Sequence, residues 1–486
     1  MNVLLLNCPI LTGGLYMKEL GRCGRKSVAG EIWPQTGLAY LAAMALRGGH
    51  DARIIDAMAE ALNLTETLDR ITAAPPDFII ANVTTPTFLN DARVFAAIRE
   101  RLPETLLGMA GTHPSALPER TLQECPACDF IIVNEAELTV EAILQATAAV
   151  ADRNGRLEAM RGLDGLALRR PDGGVQVNPR RKLLADLDAL PRPARRLLPY
   201  RKYFMPFFEG EPFATVIPTR GCPWKCIFCR AGGVWGADIR VRTPENIMGE
   251  LEELVHDLGI RHVVFMTDSL TLNRQWAKRF FHCLIEANLG LQWICNSRVD
   301  VVDPDMLSLM KRAGCTLVAY GVESGNEQIL KRTRKEITLA QAERAIRWTR
   351  EAGLLSMAYF IIGLPGETHQ TIEDSINFAI KIDPDYVNFH VATPFPGTEL
   401  YEMALQNAWI TADNWEEFEE EGSAVMRTEA LTPEDLVRAQ RRAMQRFYLR
   451  PGRIVRELGK IRTMGQLKSR VAAGMNMLKT VAGGAK

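Results

Sequence analysis

Short apolar runs alternate with amphipathic stretches along most of the chain, and the alternation predicts two α/β units. In the first, VLLLN (3–7), ARIIDA (52–57), FIIANV (78–83), LLGMAG (106–111) and FIIVNE (130–135) read as buried strands. Between them, GLAYLAAMALRGG (37–49) and LNDARVFAAIRERL (89–102) carry apolar residues at helical spacing, the former closed by glycines. Strand and helix in alternation predict a doubly wound parallel sheet over 1–150, with ligands at the carboxyl ends of its strands. That edge holds Asn7–Cys8–Pro9, Asn82 to Thr85, Gly111 to His113 and Asn134 to Glu137.

The pattern changes over 151–200. GLALRRPDGGVQVNP (165–179) predicts a small hairpin turning at Asp172–Gly174, and LDALPRPARRLLP (187–199) is proline-rich and basic, so the segment reads as a connector with few long-range contacts. A second alternating unit lies within 201–405. Its strands are ATVIPT (214–219), HVVFMT (262–267), QWICNS (292–297), LVAYGV (317–322), MAYFIIG (357–363) and YVNFHVA (386–392). Six strand–helix units predict a partial (β/α)6 barrel, with function at the strand carboxyl ends. Residues 406–486 read as a helical C-terminal region. From Leu436 onward, thirteen Lys and Arg face a single acid, Glu457, which suits a solvated helical cap or a basic surface for peripheral membrane contact or an anionic partner.

Composition narrows the class. Lys plus Arg and Asp plus Glu are both 58, so the net charge of zero gives no electrostatic case for nucleic acid. The apolar fraction of 47% is that of a globular protein, and no apolar run reaches the roughly 18 residues of a membrane span. MNVLLLNCPIL lacks the basic region and cleavage site of a signal peptide, so a cytoplasmic, reducing setting is expected. Ten cysteines are too few for a disulfide scaffold.

Three of those cysteines crowd into TRGCPWKCIFCRAGG (219–233), as Cys222, Cys226 and Cys229. A structural zinc site needs four protein ligands, and no fourth Cys or His lies near in sequence. A CxxxCxxC loop holds a [4Fe–4S] cluster by three irons and leaves the fourth open. A three-thiolate zinc site completed by a distant His is the plainer alternative. Cys125–Pro126–Ala127–Cys128 lacks a thioredoxin-like context, and the remaining cysteines read as ordinary thiols.

The spacing, with Phe228 before the last cysteine, resembles the radical S-adenosylmethionine (SAM) enzymes. The resemblance covers about 213–400 and implies that the open iron chelates SAM, which one electron from a donor such as flavodoxin or ferredoxin cleaves to a 5′-deoxyadenosyl radical. Further motifs fall in the family's order. Met266–Thr267–Asp268 ends the second strand, and Asn296–Ser297–Arg298 the third. Gly321 to Gly325 matches the family's GxES stretch and places Glu323 at the ribose or substrate side. Gly363 to Glu367 brings backbone towards the adenosyl portion. The implied SAM-binding residues are Phe228, Asp268, Ser297, Arg298, Glu323, Gly363 and Gly366. Plainer roles stand beside these: Arg298 paired with Asp300 or Glu323, Asp268 capping the following helix, and Gly363 and Gly366 in a turn.

A sheet placed before such a barrel resembles the cobalamin-binding subclass. PQTGLAYLAAMALRGGHDARIIDA (34–57), PDFIIANVTTPT (76–87), GTHPSALPE (111–119) and NEAELT (134–139) carry the resemblance. It implies a Rossmann-like cobalamin domain with Thr84, Thr85, Gly111, Thr112 and His113 beside the nucleotide tail, Glu135 nearby, and Cys8 on the cofactor edge. The DxHxxG motif that supplies a histidine to cobalt is absent, as in many members of the subclass. Ala110–Gly111 and Asn134–Glu135 replace the usual Gly-Gly and Gly-Glu. His113 has a simpler alternative as a backbone-bonded loop residue. The resemblance implies radical methyl transfer to an unactivated carbon of a small molecule, such as a lipid, tetrapyrrole or natural product. RTPENIMGELEEL and FYLRP resemble equally the anaerobic magnesium-protoporphyrin monomethyl ester cyclases, which perform an oxidative cyclisation. A non-catalytic cluster or cobalamin sensor is the third reading.

Overall fold

A computed structural model describes residues 1–19, 23–27, 30–420 and 422–459. The first sheet has seven strands: β1 (Asn2–Asn7), β2 (Asp51–Asp56), β3 (Phe78–Asn82), β4 (Leu106–Ala110), β5 (Phe130–Ile132), β6 (Leu166–Arg169) and β7 (Val175–Val177). Their order is β2-β1-β3-β4-β5-β6-β7. β1 pairs in parallel with both β2 and β3, Leu4 lying between Arg53 and Ile79. The strand order therefore reverses at β1/β3, and the crevice there opens at the carboxyl ends of those strands. Val3 to Leu6 and the residues of β3 and β4 are buried on both faces, which explains their unbroken apolar runs.

The hairpin at 166–177 is not an isolated connector. β6 pairs antiparallel with β5 (Phe130 opposite Leu168), and β7 with β6 (Leu168 opposite Gln176), so both extend the first sheet. Leu166, Ala167 and Leu168 are buried there. The rest of the expected connector is also tied down. Arg195 is fully buried and pairs with Glu250, which also takes Arg242. The basic stretch is basic in part because these guanidiniums satisfy a carboxylate inside the protein.

The second sheet has β8 (Phe213–Val216), β9 (His262–Phe265), β10 (Gln292–Ser297), β11 (Cys315–Glu323), β12 (Leu355–Ile362) and β13 (Tyr386–Val391), in sequential order and all parallel. This is the expected six-strand partial barrel. Helices between the strands start on side-chain caps: Thr243 before Pro244–His256, Asn273 before Arg274–Ala287, Asp303 before Pro304–Arg312, and Thr338 and Thr368 in capping boxes. Phe265, Phe280, Phe281 and Trp293 pack ring on ring in the core beneath.

The C-terminal region closes the barrel's flank with Pro433–Tyr448, whose Leu436, Ala443 and Phe447 are buried. Its basic residues face barrel acids: Arg442 and Arg446 pair with Glu373, and Arg450 with Asp383. Arg446 and Arg450 are the more buried of these, whereas Arg442 stays largely exposed. The remaining basic positions, from 460 onward, lie outside the described residues. Among the described residues no helix is long and apolar enough to cross a membrane.

Candidate active site

The cysteine loop follows Thr219–Arg220, which pairs antiparallel with Arg240–Val241. Gly221 sits at φ +98, and a Cβ there would meet the Asp238 carbonyl oxygen at 2.0 Å, so only glycine fits before Cys222. The Cys222 N–H donates to Gly236 O (3.2 Å), the Ile227 N–H to Thr333 O (3.2 Å), and Ile227 O accepts from Leu400 N–H (2.9 Å). The loop is thus held from three sides. Cys222 and Cys226 are half-buried and Cys229 is exposed. Phe228 packs in an apolar cluster with Leu364, Ala392 and Leu400, which anchors the loop between its second and third cysteines.

Desolvation pushes the Cys222 and Cys226 thiols up; Asp268 adds to this at Cys222 and Glu323 at Cys226, against Arg298 and Lys335. Burial by itself thus favours the thiols in this loop, whereas a metal bound there favours the thiolates. Among the described residues no three Cys, His, Asp or Glu side chains converge on one ion position. Three thiols on one loop are the donor type that an iron–sulfur cube takes at three of its corners.

The strand ends beside the loop bring together the other barrel residues singled out by sequence. Asp268 is close enough to raise the Cys222 thiol, and it does not cap the following helix, whose cap is Asn273. The Ser297 hydroxyl shares a hydrogen bond with Thr271 (2.6 Å). Arg298 is buried and binds Asp300 through Nε (2.9 Å) and Nη2 (2.8 Å), while its guanidinium lies 3.8 Å from the centre of the Trp224 ring. Arg298 thus has the plainer pairing with Asp300, and that pairing also braces the cysteine loop through Trp224. Glu323 is held at φ +69 and accepts from Lys335 Nζ (2.7 Å). A non-glycine residue in that backbone region at a strand end signals a position fixed by its surroundings. Lys335 carried no local signal in the sequence. Gly363 (φ +97) and Gly366 (φ +84) do form a turn, closed by the buried Glu367, which accepts from Gly363 N–H (2.6 Å) and Leu364 N–H (3.1 Å).

The carboxyl edge of the first sheet is assembled from β1, β3, β4 and β5. Thr84, Thr85, Thr112 and His113 are all buried. Gly111 sits at φ +124, and a Cβ would meet Val83 O at 2.2 Å. His113 stacks on Phe88 (4.4 Å between centroids), meets Trp415 edge-on (5.0 Å), and holds Thr85 Oγ1 through Nδ1 (3.3 Å). It is therefore a side-chain-bonded residue, not one bonded to backbone. Burial pushes its imidazole down to about 3. Asn7 Oδ1, Asn82 Oδ1, His113 Nε2 and Asn134 Oδ1 are buried without a partner among the described residues. Four orphaned polar atoms along one strand edge fit a large polar ligand in the crevice, because leaving each unsatisfied costs about 1–3 kcal/mol.

Two of the residues expected at this edge have other surroundings. Cys8 is fully buried in the apolar core, and burial, with Asp91 next, raises its thiol well above the usual value. Glu135 is engaged by Arg220 (3.3 Å) and Arg240 (2.7 Å). Arg220 also pairs with Glu137. Because Arg220 precedes Cys222 by two residues, this buried knot joins the cysteine loop to the carboxyl edge of the other sheet. The TRGC tetrapeptide contained the signal, but its partners lie 85 and 83 residues away.

One α/β unit thus carries a three-cysteine loop and the other an orphan-lined crevice, and the Arg220 ion pairs join the two. The Radical SAM superfamily matches residues 216–379 and the B12 binding domain matches residues 24–144. The chain is 34% identical over 434 residues to an uncharacterized methyltransferase, PH0819, of Pyrococcus horikoshii, covering 89% of this chain and 92% of the relative. It is 31% identical over 397 residues to the anaerobic magnesium-protoporphyrin IX monomethyl ester cyclase of Rubrivivax gelatinosus, covering 80% and 69%. In fold it is similar to the radical SAM methyltransferase TsrM of Kitasatospora setae with cobalamin and [4Fe–4S] cluster bound (TM-score 0.70, 15% identity, 97% and 99% covered). It is also similar to the cobalamin-dependent enzyme OxsB with aqua-cobalamin and SAM bound (TM-score 0.73, 15% identity, 99% and 71% covered). The chain belongs to the radical SAM superfamily, within the group that carries a B12-binding domain. Its cofactors are a [4Fe–4S] cluster, SAM and cobalamin.

Proposed function

We propose that this chain is a cobalamin-dependent radical methyltransferase that acts on an unactivated carbon of a lipid, tetrapyrrole or other natural product. The observation that carries the reading is the Arg220 knot, which sets the cysteine loop against the edge of the B12-binding sheet. A methyl donor and a radical generator must reach one substrate carbon, so their two edges must face each other. When bound, the cluster, SAM and cobalamin supply the electron, the 5′-deoxyadenosyl radical and the methyl group, drawing on an external donor such as flavodoxin or ferredoxin.

The chain's own residues bind and orient. Cys222, Cys226 and Cys229 would hold the cluster by three of its irons. Phe228 keeps the loop seated. Asp268, Ser297, Arg298 and the Glu323–Lys335 pair would form the polar wall for SAM, with the Gly363 to Gly366 turn behind it. Thr84, Thr85, Gly111, Thr112 and the neutral His113 take the cobalamin tail, and the orphaned Nε2 of His113 gains a partner there. Glu135 serves through Arg220 and Arg240, and Cys8 packs below the edge.

Anaerobically reconstituted protein, given methyl-labelled SAM, a strong reductant and a panel of tetrapyrrole, hopanoid and phosphonate acceptors, is expected to release 5′-deoxyadenosine and to place label in one acceptor. The 31% identity to the cyclase favours oxidative cyclisation as the second reading. A dehydrogenated, unlabelled product decides for it, and the absence of 5′-deoxyadenosine under all conditions decides against both.

A further inference from the structure

Arg230 immediately follows the last cluster cysteine, and it is only 7% exposed. Its Nη1 donates to Gly397 O (3.2 Å). Its Nε and Nη2 are buried and have no acceptor among the described residues. These two nitrogens form one edge of the guanidinium, the edge that meets an oxyanion with two parallel hydrogen bonds. The same edge of Arg298 is filled by the two oxygens of Asp300, at 2.9 and 2.8 Å. Arg230 has no such carboxylate among the described residues. Burial lowers its proton affinity, the Cys23 thiol acts against this, and Arg180 adds a smaller repulsion. A buried, unpaired guanidinium is costly, and the protein retains it beside its reactive centre.

The surroundings preserve this side chain. A Cβ on Gly397 would meet Arg230 Cζ at 2.5 Å, and one on Gly233 would meet Nη1 at 2.2 Å, so two glycines make room for it. Gly397 lies in the loop after β13, and Phe395 of that loop packs into the core of the first unit. Arg230 thus stands where the cluster loop, the last barrel loop and the B12-binding unit meet.

We propose that Arg230 is the anchor for an anionic group of the substrate, a carboxylate or a phosphate or phosphonate, which it grips through Nε and Nη2. This assignment rests on the methyl-transfer reading, which makes the anion part of a substrate. A reacting carbon must lie between the two cofactor edges, and an acidic group held at this seam fixes which carbon is presented.

The test is phosphorus-31 relaxation of methylphosphonate added to the fully reconstituted holoenzyme, with the reduced, paramagnetic cluster as the local probe. Wild-type protein is expected to enhance the relaxation saturably, and excess acetate to reverse it. R230Q should weaken the apparent affinity at least tenfold, and R230K, which keeps the charge but not the fork, should fall between, with iron and cobalt contents equal in all three. Equal enhancement in R230Q overturns the proposal. So does its abolition by saturating SAM, which would assign the site to the methionyl carboxylate. Loss of iron in both variants also overturns it, because Arg230 would then be a counter-charge to the cluster. The measurement needs no turnover, so a failed methyl transfer and a failed anchor give different results.

Discussion

Arg220 and Glu137 form a buried ion pair between the two α/β units, with side chains 3% and 8% exposed. Burial alone would raise the Glu137 carboxyl, but the Arg220 charge and hydrogen bond overcome this and hold it below its ordinary value. Removing Glu137 leaves the desolvated Arg220 with only its longer contact to Glu135 (3.3 Å), which Arg240 already engages. Glu137→Gln is therefore expected to cost about 3–5 kcal/mol, and a double replacement of both residues by leucine to recover part of that loss. Denaturant midpoints at pH 7.5 provide the check. The pair's contribution is present above the unfolded carboxyl value of 4.5 and is lost as pH falls below it, so E137Q and wild type should converge in acid.

Gly221 gives a sharper test of the cluster loop. Gly221→Ala combines a left-handed backbone with a Cβ 2.0 Å from Asp238 O. The loop must move, although all three thiols remain. Iron and sulfide per chain after reconstitution are expected to fall below half of the wild-type content. Gly232→Ala is the matched control: its Cβ would have only Cys222 O, at 4.0 Å, as a neighbour, and its backbone angle is unconstrained. G232A should load like wild type. Equal loading of G221A would show that the turn before Cys222 does not set the ligand positions.

What the sequence made legible was local or periodic. The strands of both sheets read as continuous apolar runs because parallel strands are buried on both faces. Cys222, Cys226 and Cys229 were legible because a cluster loop is contiguous in sequence. The hairpin at β6 and β7 was read as a loose connector because its strands are short, four and three residues, and β7 is not fully buried. Glu135 stood at the right strand end, yet nothing near it in sequence points to Arg220 or Arg240. Trp415 against His113 was equally invisible, since the two share no element or period. Pairings of this kind depend on how finished elements pack, and apolar periodicity carries no record of them.

His113 should leave a signature in the pH dependence of stability. Burial pushes its imidazole down to about 3, against 6.5 in the unfolded chain. The unfolded state therefore binds the proton more readily. The neutral ring's contribution is complete above about pH 6.5 and is lost as pH falls towards 3, at about 1.4 kcal/mol per pH unit. His113→Gln removes this slope. The stability difference between wild type and H113Q, measured by urea unfolding, should shrink by roughly 1 kcal/mol between pH 6.5 and 5.5. A constant difference would place a titrating or solvated imidazole at this site. H113Q is also expected to weaken cobalamin retention, read as cobalt per chain after gel filtration.

Glu367 produces a slope of the opposite sign. Its carboxyl is 1% exposed and accepts two backbone N–H groups on one oxygen, while the other oxygen has no partner. Burial pushes it up to about 8, although the Gly363 and Leu364 amides pull the other way. The folded state thus holds a proton that the unfolded chain releases near 4.5. The protonated form's contribution is full below about pH 4.5 and is lost as pH rises through 8, for a total on the order of 5 kcal/mol. Glu367→Gln keeps the acceptor for the two amides and carries no charge at any pH. E367Q should gain on wild type steadily from pH 5 to pH 8. Between pH 4.5 and 6.5 the His113 and Glu367 slopes oppose each other, so the wild-type profile there is flattened by compensation. E367Q should then show a stability that climbs with pH, H113Q one that declines, and the double variant neither slope. A wild-type profile that both single variants merely shift, without tilting, would mean that neither group changes its proton affinity on folding.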